Sequence, residues 1–248
     1  MQESMPPKFD DVASFYNDIY YGNADATAAI AGERHLRALA RRLTLHAGQN
    51  LLDVACGTGD WLTVASRLGL SVAGADISER AIAVCRKRLP HGTFHVGPAE
   101  RLDFPDDTFD VISCLGSLEH FLDQKAALRE MIRVLKPAGR IVLLVPNAGF
   151  LPYRLGWYKG TQQQSIRETI RSLDAWRELF AECGLLLQAR WRDLHVLNWG
   201  WIVRRPWMML IPRLIQSLLL PLWPLRWQYQ VFHLYTPDTA ATCGTPAR

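Results

Sequence analysis

Residues 51–61 read LLDVACGTGDW, an apolar run that ends in an acid and is followed by a turn of small residues. The apolar run is typical of a strand buried on both faces, because such a strand in a parallel sheet lacks polar alternation. Gly57 and Gly59 allow the backbone to turn tightly and allow a ligand to come close to it. A helix that begins at Asp60 presents free N–H groups to that ligand. The stretch therefore predicts a strand, a ligand-binding turn and a helix in succession.

A second predicted strand also ends in an acid. Residues 71–76 read SVAGAD, and Asp76 lies 23 residues after Asp53. A carboxylate at this place can accept hydrogen bonds from both ribose hydroxyls of a nucleoside, as it does in dinucleotide-binding folds. The dinucleotide fingerprint G-x-G-x-x-G is incomplete, because Leu62 stands in the place of its third glycine. The pattern indicates a ligand that contains a nucleoside and disfavours a nicotinamide-dependent oxidoreductase.

Four sequence blocks, in order, resemble the class I S-adenosylmethionine-dependent methyltransferases, in particular the type 11 branch that methylates quinones and other small molecules. The blocks are LDVACGTG at 52–59, GADIS at 74–78, GPAERLDF at 97–104 followed by FDVIS at 109–113, and the segment 128–144. The resemblance covers roughly residues 45–190. The chain departs from the family at Ala55, where the family has a glycine, and at Pro98, where it often has an acid.

The resemblance, together with the alternation of strand and helix patterns, predicts an α/β fold. We expect a Rossmann-like, seven-stranded, mostly parallel, doubly wound sheet with an antiparallel last strand. An N-terminal helical lid and a helical insertion before the last strand are expected to complete it. The predicted divisions are a lid or cap segment at 1–45, a methyltransferase domain at 46–237 with an apolar insertion at 195–226, and a flexible tail at 238–248. Within the first segment, a helix is predicted over residues 25–45.

The resemblance implies that S-adenosylmethionine is the cofactor, and it implies which residues hold it. Asp53 is expected beside the methionine end, Asp76 at the ribose, and Ile77 and Ala99 on either side of the adenine. The complete set of expected cofactor-binding residues is Asp53, Ala55, Gly57, Thr58, Gly59, Asp76, Ile77, Ala99, Glu100 and Leu115.

Catalytic and acceptor-binding residues are expected at the carboxyl ends of the strands. His120 is the first candidate for a catalytic base, and His195, at the start of the insertion, is the second. The alternative for His120 is a histidine at a helix start that only shapes the pocket. No metal is expected, because Gly116 stands where the quinone O-methyltransferase branch, which the Glu119-His120 pair resembles, can add an acid. The expected acceptor contacts are Tyr16, Tyr20, Tyr153, Arg154 and Tyr158.

Length and composition fit one α/β domain with additions. The chain has 248 residues, of which 49% are hydrophobic, and its net charge is +4, from 28 basic and 24 acidic residues. That charge is too small to indicate nucleic acid as a partner. The five cysteines are scattered without a C-x-x-C pair, which favours reduced thiols in the cytoplasm over disulfides or a metal site. The N-terminus lacks the basic flank and apolar core of a signal peptide.

The stretch between the last two predicted strands, residues 193–227, carries five of the nine tryptophans of the chain, at positions 199, 201, 207, 223 and 227. Its longest uncharged run, residues 214–225, has 12 residues, whereas a membrane-spanning helix needs about 20. Tryptophans flanked by arginines are typical of a segment that lies in the membrane interface. Three interpretations stay open: contact with a membrane surface through residues 199–227, a lid over a pocket for a soluble acceptor, and a dimer surface.

The predicted activity is methyl transfer to an O or N nucleophile of a small-molecule or lipid-like acceptor. It would proceed by in-line displacement in a pocket at the carboxyl edge of the sheet. Two alternatives are a non-catalytic S-adenosylmethionine-binding or scaffold protein on the same fold, and a methyltransferase for a soluble sugar or natural-product intermediate. The protein is expected to be cytoplasmic or peripheral at a membrane, as a monomer or homodimer.

Overall fold

A computed structural model describes residues 9–30, 32–154, 156, 168–195, 203 and 207–238, apart from the side chains at 209 and 216. Tyr158, Trp199 and Trp201 lie outside these residues, as do positions 239–248 of the predicted tail.

Strands and helices alternate along the described chain. The helices are α1 (Phe9–Phe15), α2 (Glu33–Arg42), α3 (Asp60–Arg67), α4 (Glu79–Arg88), α5 (Gln124–Val134), α6 (Leu151–Arg154), α7 (Leu173–Glu182) and α8 (Leu210–Leu219). The strands are β1 (Asn50–Val54), β2 (Ser71–Asp76), β3 (Thr93–Val96), β4 (Phe109–Leu115), β5 (Leu135–Pro146), β6 (Leu185–Arg192) and β7 (Gln230–Pro237). A π-helical turn, Tyr16–Tyr20, follows α1 directly, and short 3₁₀ turns flank α8.

The strands form one seven-stranded sheet in the order β3-β2-β1-β4-β5-β7-β6. The pairs from β3 to β5 are parallel, and β7 runs antiparallel to both of its neighbours. This topology confirms the predicted sheet, its antiparallel last strand and the place of the insertion before that strand. The carboxyl ends of β1, β2, β4 and β5 therefore meet at one edge, where ligands bind in open α/β sheets.

Helices cover both faces of the sheet, and each face has its own core. Leu51, Leu52 and Val54 of β1 are fully buried, as the unbroken apolar run predicts for a central strand. Trp61 belongs to the core on one face and Trp176 to the core on the other.

The first long helix begins eight residues later than the sequence predicts. Residues 25–45 were expected to be helical, but α2 begins at Glu33 and ends at Arg42. Gly32 precedes it with a φ of +64°, a left-handed conformation outside a helix. Asp25 accepts hydrogen bonds from the backbone N–H and the hydroxyl of Thr27. This local turn competes with helix formation, as aspartate side chains commonly do.

The insertion places an amphipathic helix, α8, at the surface. Large apolar side chains on and beside α8 are exposed, among them Met208 (87%), Ile211 (68%), Leu218 (75%) and Leu222 (78%). Leu220 is buried and joins the segment to the rest of the fold. None of the helices in the described part of the chain is both long enough and apolar enough to cross a membrane.

Candidate active site

The turn after β1 has the conformation that its small residues predict. Ala55, Gly57 and Gly59 have φ values of +59°, +52° and +78°, all in the left-handed region that glycine enters without strain. A Cβ atom on Gly57 would lie 2.7 Å from the Tyr21 hydroxyl, and one on Gly59 would lie 2.9 Å from Cys85 Sγ. The turn is therefore closely packed on both sides, and it leads directly into α3.

The carboxylate of Asp76 ties the end of β2 to this turn. Asp76 Oδ2 accepts the backbone N–H of Gly57 at 2.8 Å, and Oδ1 accepts that of Ser78 at 2.9 Å. The residue is 6% exposed and lines a cavity at the carboxyl edge. Burial raises the pKa of this carboxyl, and the two N–H groups oppose that shift because they stabilise its charged form.

Asp53 lies beneath the turn in a buried hydrogen-bonded chain. Ser113 Oγ donates to Asp53 Oδ1 at 2.6 Å, and Trp61 Nε1 donates to Ser113 Oγ at 3.0 Å. Burial raises the pKa of Asp53 to about 7. Asp53 does not line the cavity in the described residues, so its placement differs from that of Asp76.

The N-terminal segment closes over the turn as a lid. Phe9, Val12, Tyr16 and Tyr21 form one wall of the cavity. Burial raises the pKa of the Tyr16 and Tyr21 phenols, and the nearby Asp76 charge raises it further, so both hydroxyls are protonated donors.

Arg88 of α4 and Ser78, the N-cap residue of that helix, both bind the N-terminal segment. Arg88 donates to the carbonyls of Asp25, Ala26 and Ala28 in the lid, and to the carbonyl of Thr58 in the turn. The Ser78 hydroxyl donates to Asn17 Oδ1 at 2.7 Å. The lid and the turn are therefore fastened to the same helix.

The opposite wall comes from the segments that follow β3 and β4. It consists of Gly97, Pro98, Ala99, Glu100, Ser117, His120, Phe121 and Leu122, and the floor adds Val54, Ala55, Ala75 and Ile77. Glu100 also accepts the backbone N–H of Asp123 at 3.1 Å. The wall is mostly apolar, as is typical of small-molecule pockets.

His120 stands on this wall beside a buried acid. Its Nε2 atom lies 4.0 Å from Glu119 Oε1, and its side chain is 11% exposed. Burial lowers the pKa of His120, so the imidazole is neutral at pH 7 and able to accept a proton. Burial also raises the pKa of Glu119 to about 8.

His195 belongs to a different cluster at the end of β6. Its Nδ1 atom pairs with Asp193 Oδ2, and His35 Nε2 of α2 lies 3.1 Å from Asp193 Oδ1. The Asp193 carboxylate raises the pKa of His195, and the two histidines lower the pKa of Asp193. The structure does not bring His195 to the wall on which His120 stands.

The predicted residues thus fall into two groups. Ala55, Asp76, Ile77, Ala99, Glu100, Tyr16 and His120 line the cavity; Asp53, Gly57, Thr58, Gly59, Leu115, Tyr20, Tyr153, Arg154 and His195 do not. Gly57, Thr58 and Gly59 nevertheless form the turn beside it. Tyr20 is 57% exposed. Tyr153 packs near Phe150, with ring centroids 6.4 Å apart.

Sequence reasoning missed several lining residues. Tyr21 faces the cavity instead of Tyr20, because the π-helical turn shifts the angular position of its side chains relative to an α-helix. Phe121 and Leu122 follow the Glu-His pair directly, so their proximity to that pair was the available signal. Phe9 and Val12 carry no motif and were identifiable only as the apolar positions of a short helix.

Comparison with known proteins agrees with this geometry. Residues 52–143 match the family model described as a methyltransferase domain. Methyltransferase GfsG of Streptomyces halstedii is 35% identical over 53% of this chain and 51% of its own. Demethylmenaquinone methyltransferase of Halalkalibacterium halodurans is 32% identical over 58% and 64%, and 27-O-demethylrifamycin SV methyltransferase of Amycolatopsis mediterranei is 31% identical over 67% and 64%. The chain spans about half to two thirds of the length of these curated relatives.

Solved structures share the fold at low sequence identity. A chain from the complex of the Haloferax volcanii Trm112 methyltransferase activator with a putative methyltransferase has a TM-score of 0.65 at 19% identity, over 94% of this chain and 99% of its own. The [4+2]-cyclase SpnF has a TM-score of 0.63 at 19% identity, over 94% and 97%. The fold alone therefore does not fix the reaction. With the matched sequence and the geometry of the turn, however, the conclusion is that this chain carries a class I methyltransferase domain, of the type whose methyl donor is S-adenosylmethionine.

Proposed function

We propose that this chain transfers a methyl group from S-adenosylmethionine to an O or N nucleophile of a small-molecule or lipid-like acceptor. The observation that carries the proposal is that one cavity has the Asp76 carboxylate on its floor and the neutral imidazole of His120 on its wall. The Asp76 carboxylate is the group expected to bind the ribose hydroxyls. A cofactor-binding element and a group that accepts protons therefore face the same space.

The residues at this edge fit the cofactor. Each Asp76 oxygen accepts one backbone N–H, which leaves further lone pairs for a ribose diol. Ile77 and Ala99 offer apolar surface to the adenine. The left-handed turn from Ala55 to Gly59 lets the backbone approach the methionine end closely.

The cofactor supplies an electrophilic methyl group on a sulfonium. The protein mainly has to align the acceptor with that methyl group, and positioning of this kind is worth about 7–11 kcal/mol. The aromatic lid residues exclude water from the reacting centre. His120 accepts the proton of an acceptor hydroxyl, a role that typically contributes about 10²–10⁴-fold. His195 pairs with Asp193 in a separate cluster and does not line the cavity, so this role is assigned to His120 alone.

A methyl-transfer assay with a chemically varied acceptor panel tests the proposal. The purified chain would be incubated with radiolabelled S-adenosylmethionine and, separately, a demethylated quinone chemically reduced to its quinol, a macrocyclic natural product with a free hydroxyl, and a sugar. These choices follow the named relatives and the alternative of a soluble sugar. We expect transfer to at least one apolar acceptor. Tight cofactor binding without transfer to any acceptor would instead favour a cofactor-binding scaffold or another reaction on this fold.

We also propose that the insertion contacts the cytoplasmic surface of a membrane. Its exposed apolar face includes Met208, Ile211, Leu218 and Leu222. No aspartate or glutamate occurs between Asp193 and Asp238, whereas arginines stand at positions 204, 205, 213 and 226. An apolar face with basic and no acidic flanks is complementary to an anionic lipid surface.

Flotation with liposomes checks the membrane contact. We expect the wild-type chain to float with anionic liposomes, and Leu218→Ser/Leu222→Ser to lose at least about tenfold in partitioning, since burying each leucine contributes about 1.5–3 kcal/mol. The control is Leu68→Ser/Leu186→Ser, which changes two leucines exposed elsewhere (38% and 47%). Equal flotation of both variants would contradict the contact. If the wild-type chain does not float, its oligomeric state decides between the other two interpretations of the insertion. A dimer in analytical ultracentrifugation would favour a dimer surface, and a monomer would favour a pocket lid.

A further inference from the structure

A second feature of the same edge is a cluster of three potential metal ligands. Glu119, His120 and Glu168 each offer one ligand atom, and these atoms all lie within 4.8 Å of one another. In the residues that the structure describes, this is the one such group of three or more histidines, cysteines or acids. Glu168 comes from a segment 48 residues beyond His120, so no local sequence motif contains all three.

The backbone fixes Glu168 beside the other two residues. The N–H of Thr169 donates to the carbonyl of Glu119 at 2.9 Å. Two residues further on, the Arg171 guanidinium donates twice to Gln124 Oε1, at 3.1 and 3.2 Å. The segment that starts at Glu168 is thereby held against the end of β4 and the start of α5.

Two polar atoms of the cluster are buried without a hydrogen-bond partner. They are Glu119 Oε2 and His120 Nδ1, and Glu119 is only 3% exposed. A buried carboxylate is costly unless a charge or hydrogen bonds compensate it. A second carboxylate nearby, that of Glu168, adds repulsion. A cation bound among these three side chains would compensate the unpartnered atoms of Glu119 and His120.

We propose that Glu119, His120 and Glu168 bind a divalent first-row cation such as Mn²⁺ at the wall of the cavity. Two carboxylates and one imidazole suit such an ion. Ligand atoms about 2.0–2.2 Å from one ion lie up to about 4.4 Å apart, so separations within 4.8 Å require only small side-chain rotations. The proposal departs from the sequence-based expectation of no metal, which considered only Gly116 as the place of the missing acid.

Binding of the cation does not depend on the proposed function. Its effect on turnover does, because it acts on the acceptor of the proposed methyl transfer. An acceptor hydroxyl bound to the cation loses its proton to solvent more readily, because the cation stabilises the alkoxide. The oxygen then attacks the methyl carbon, and the carbon–sulfonium bond breaks. His120 would in this case hold the ion instead of taking the proton.

Titration of the purified full chain with Mn²⁺ tests the site, with free Mn²⁺ followed by electron paramagnetic resonance. We expect the wild type to bind one ion and Glu168→Gln to bind at least about tenfold more weakly. The matched control is Glu182→Gln, which changes an exposed glutamate on α7 that pairs with Lys125 at 2.8 Å. The control should bind as the wild type does. Circular dichroism and thermal melting confirm that both variants are folded.

Two outcomes would overturn the proposal: no saturable Mn²⁺ binding to the wild type at millimolar concentration, or Glu168→Gln that binds as tightly as the wild type. Neither outcome would contradict the proposed methyl transfer, which is measured separately with the acceptor panel. Conversely, a chain that binds Mn²⁺ through Glu168 but transfers no methyl group would leave the site standing and remove the proposed function.

Discussion

Replacing Asp76 with alanine is expected to weaken binding of S-adenosylmethionine by about 10²–10⁴-fold. The Asp76 carboxylate lies on the cavity floor, where it would accept the two ribose hydroxyls. Hydrogen bonds to a charged group contribute about 1.5–3 kcal/mol each. Loss of both bonds, about 3–6 kcal/mol together, corresponds to this range, because each 1.4 kcal/mol is about tenfold. Isothermal titration calorimetry with the cofactor measures the change directly.

The control for this variant must separate binding from folding. Asp76 also accepts the N–H groups of Gly57 and Ser78, so the alanine variant loses stability as well. Asp76→Asn keeps the side-chain shape and should fall between the wild type and the alanine variant. Asp103→Ala changes an exposed acid and should leave the affinity unchanged. Near-wild-type affinity in a folded Asp76→Ala chain would remove Asp76 from the ribose site.

Replacing His120 with glutamine is expected to lower turnover by about 10²–10⁴-fold while the affinity for the cofactor changes little. Turnover falls because a positioned general base contributes a factor of this size. Cofactor affinity changes little because His120 lies on a wall of the cavity, whereas Asp76 lies on its floor. Single-turnover kinetics with a responsive acceptor gives the first quantity, and calorimetry gives the second. Unchanged turnover would leave His120 as a residue that only shapes the pocket. His91→Gln, at an exposed position, serves as the control.

The same variant distinguishes a base from a metal ligand when the assay is repeated with a chelator. If His120 accepts the proton itself, chelation leaves the wild type active and the His120→Gln defect intact. If His120 holds a cation, chelation slows the wild type by a similar factor, and His120→Gln adds little to that loss. Effects of groups that act as one unit are strongly non-additive in this way.

Local patterns in the sequence predicted the sheet and the turn after β1 well. The order of strands, the left-handed turn at Gly57 and Gly59 and the inward carboxylate of Asp76 all follow from a short stretch of small residues between apolar runs. These features depend on backbone conformation and burial within a few residues. The predicted start of α2 was wrong. The Asp25 side chain forms a local turn with Thr27 that competes with helix formation, and helical periodicity does not reveal such a turn.

The acceptor side could be predicted only in part. Glu168 reaches the Glu119-His120 pair through a backbone hydrogen bond between segments far apart in the chain, and no spacing rule anticipates such a contact. His195 was predicted near the chemistry because it opens the insertion. Its position depends instead on Asp193 and on His35 from α2. Both cases depend on tertiary packing, which acts across elements and leaves no periodic trace in sequence.

The way in which the insertion leaves and rejoins the sheet bears on how such a protein can diversify. Asp193 and Gln230, at its two ends, are joined by a backbone hydrogen bond of 3.3 Å. The excursion thus starts and finishes at nearly one point, and doubling the length of such a loop costs only about 0.6 kcal/mol of closure entropy. None of its residues contributes to β1, β2 or β4, which carry the cofactor turn. The segment can therefore be exchanged or resized without rebuilding the strands that carry the turn.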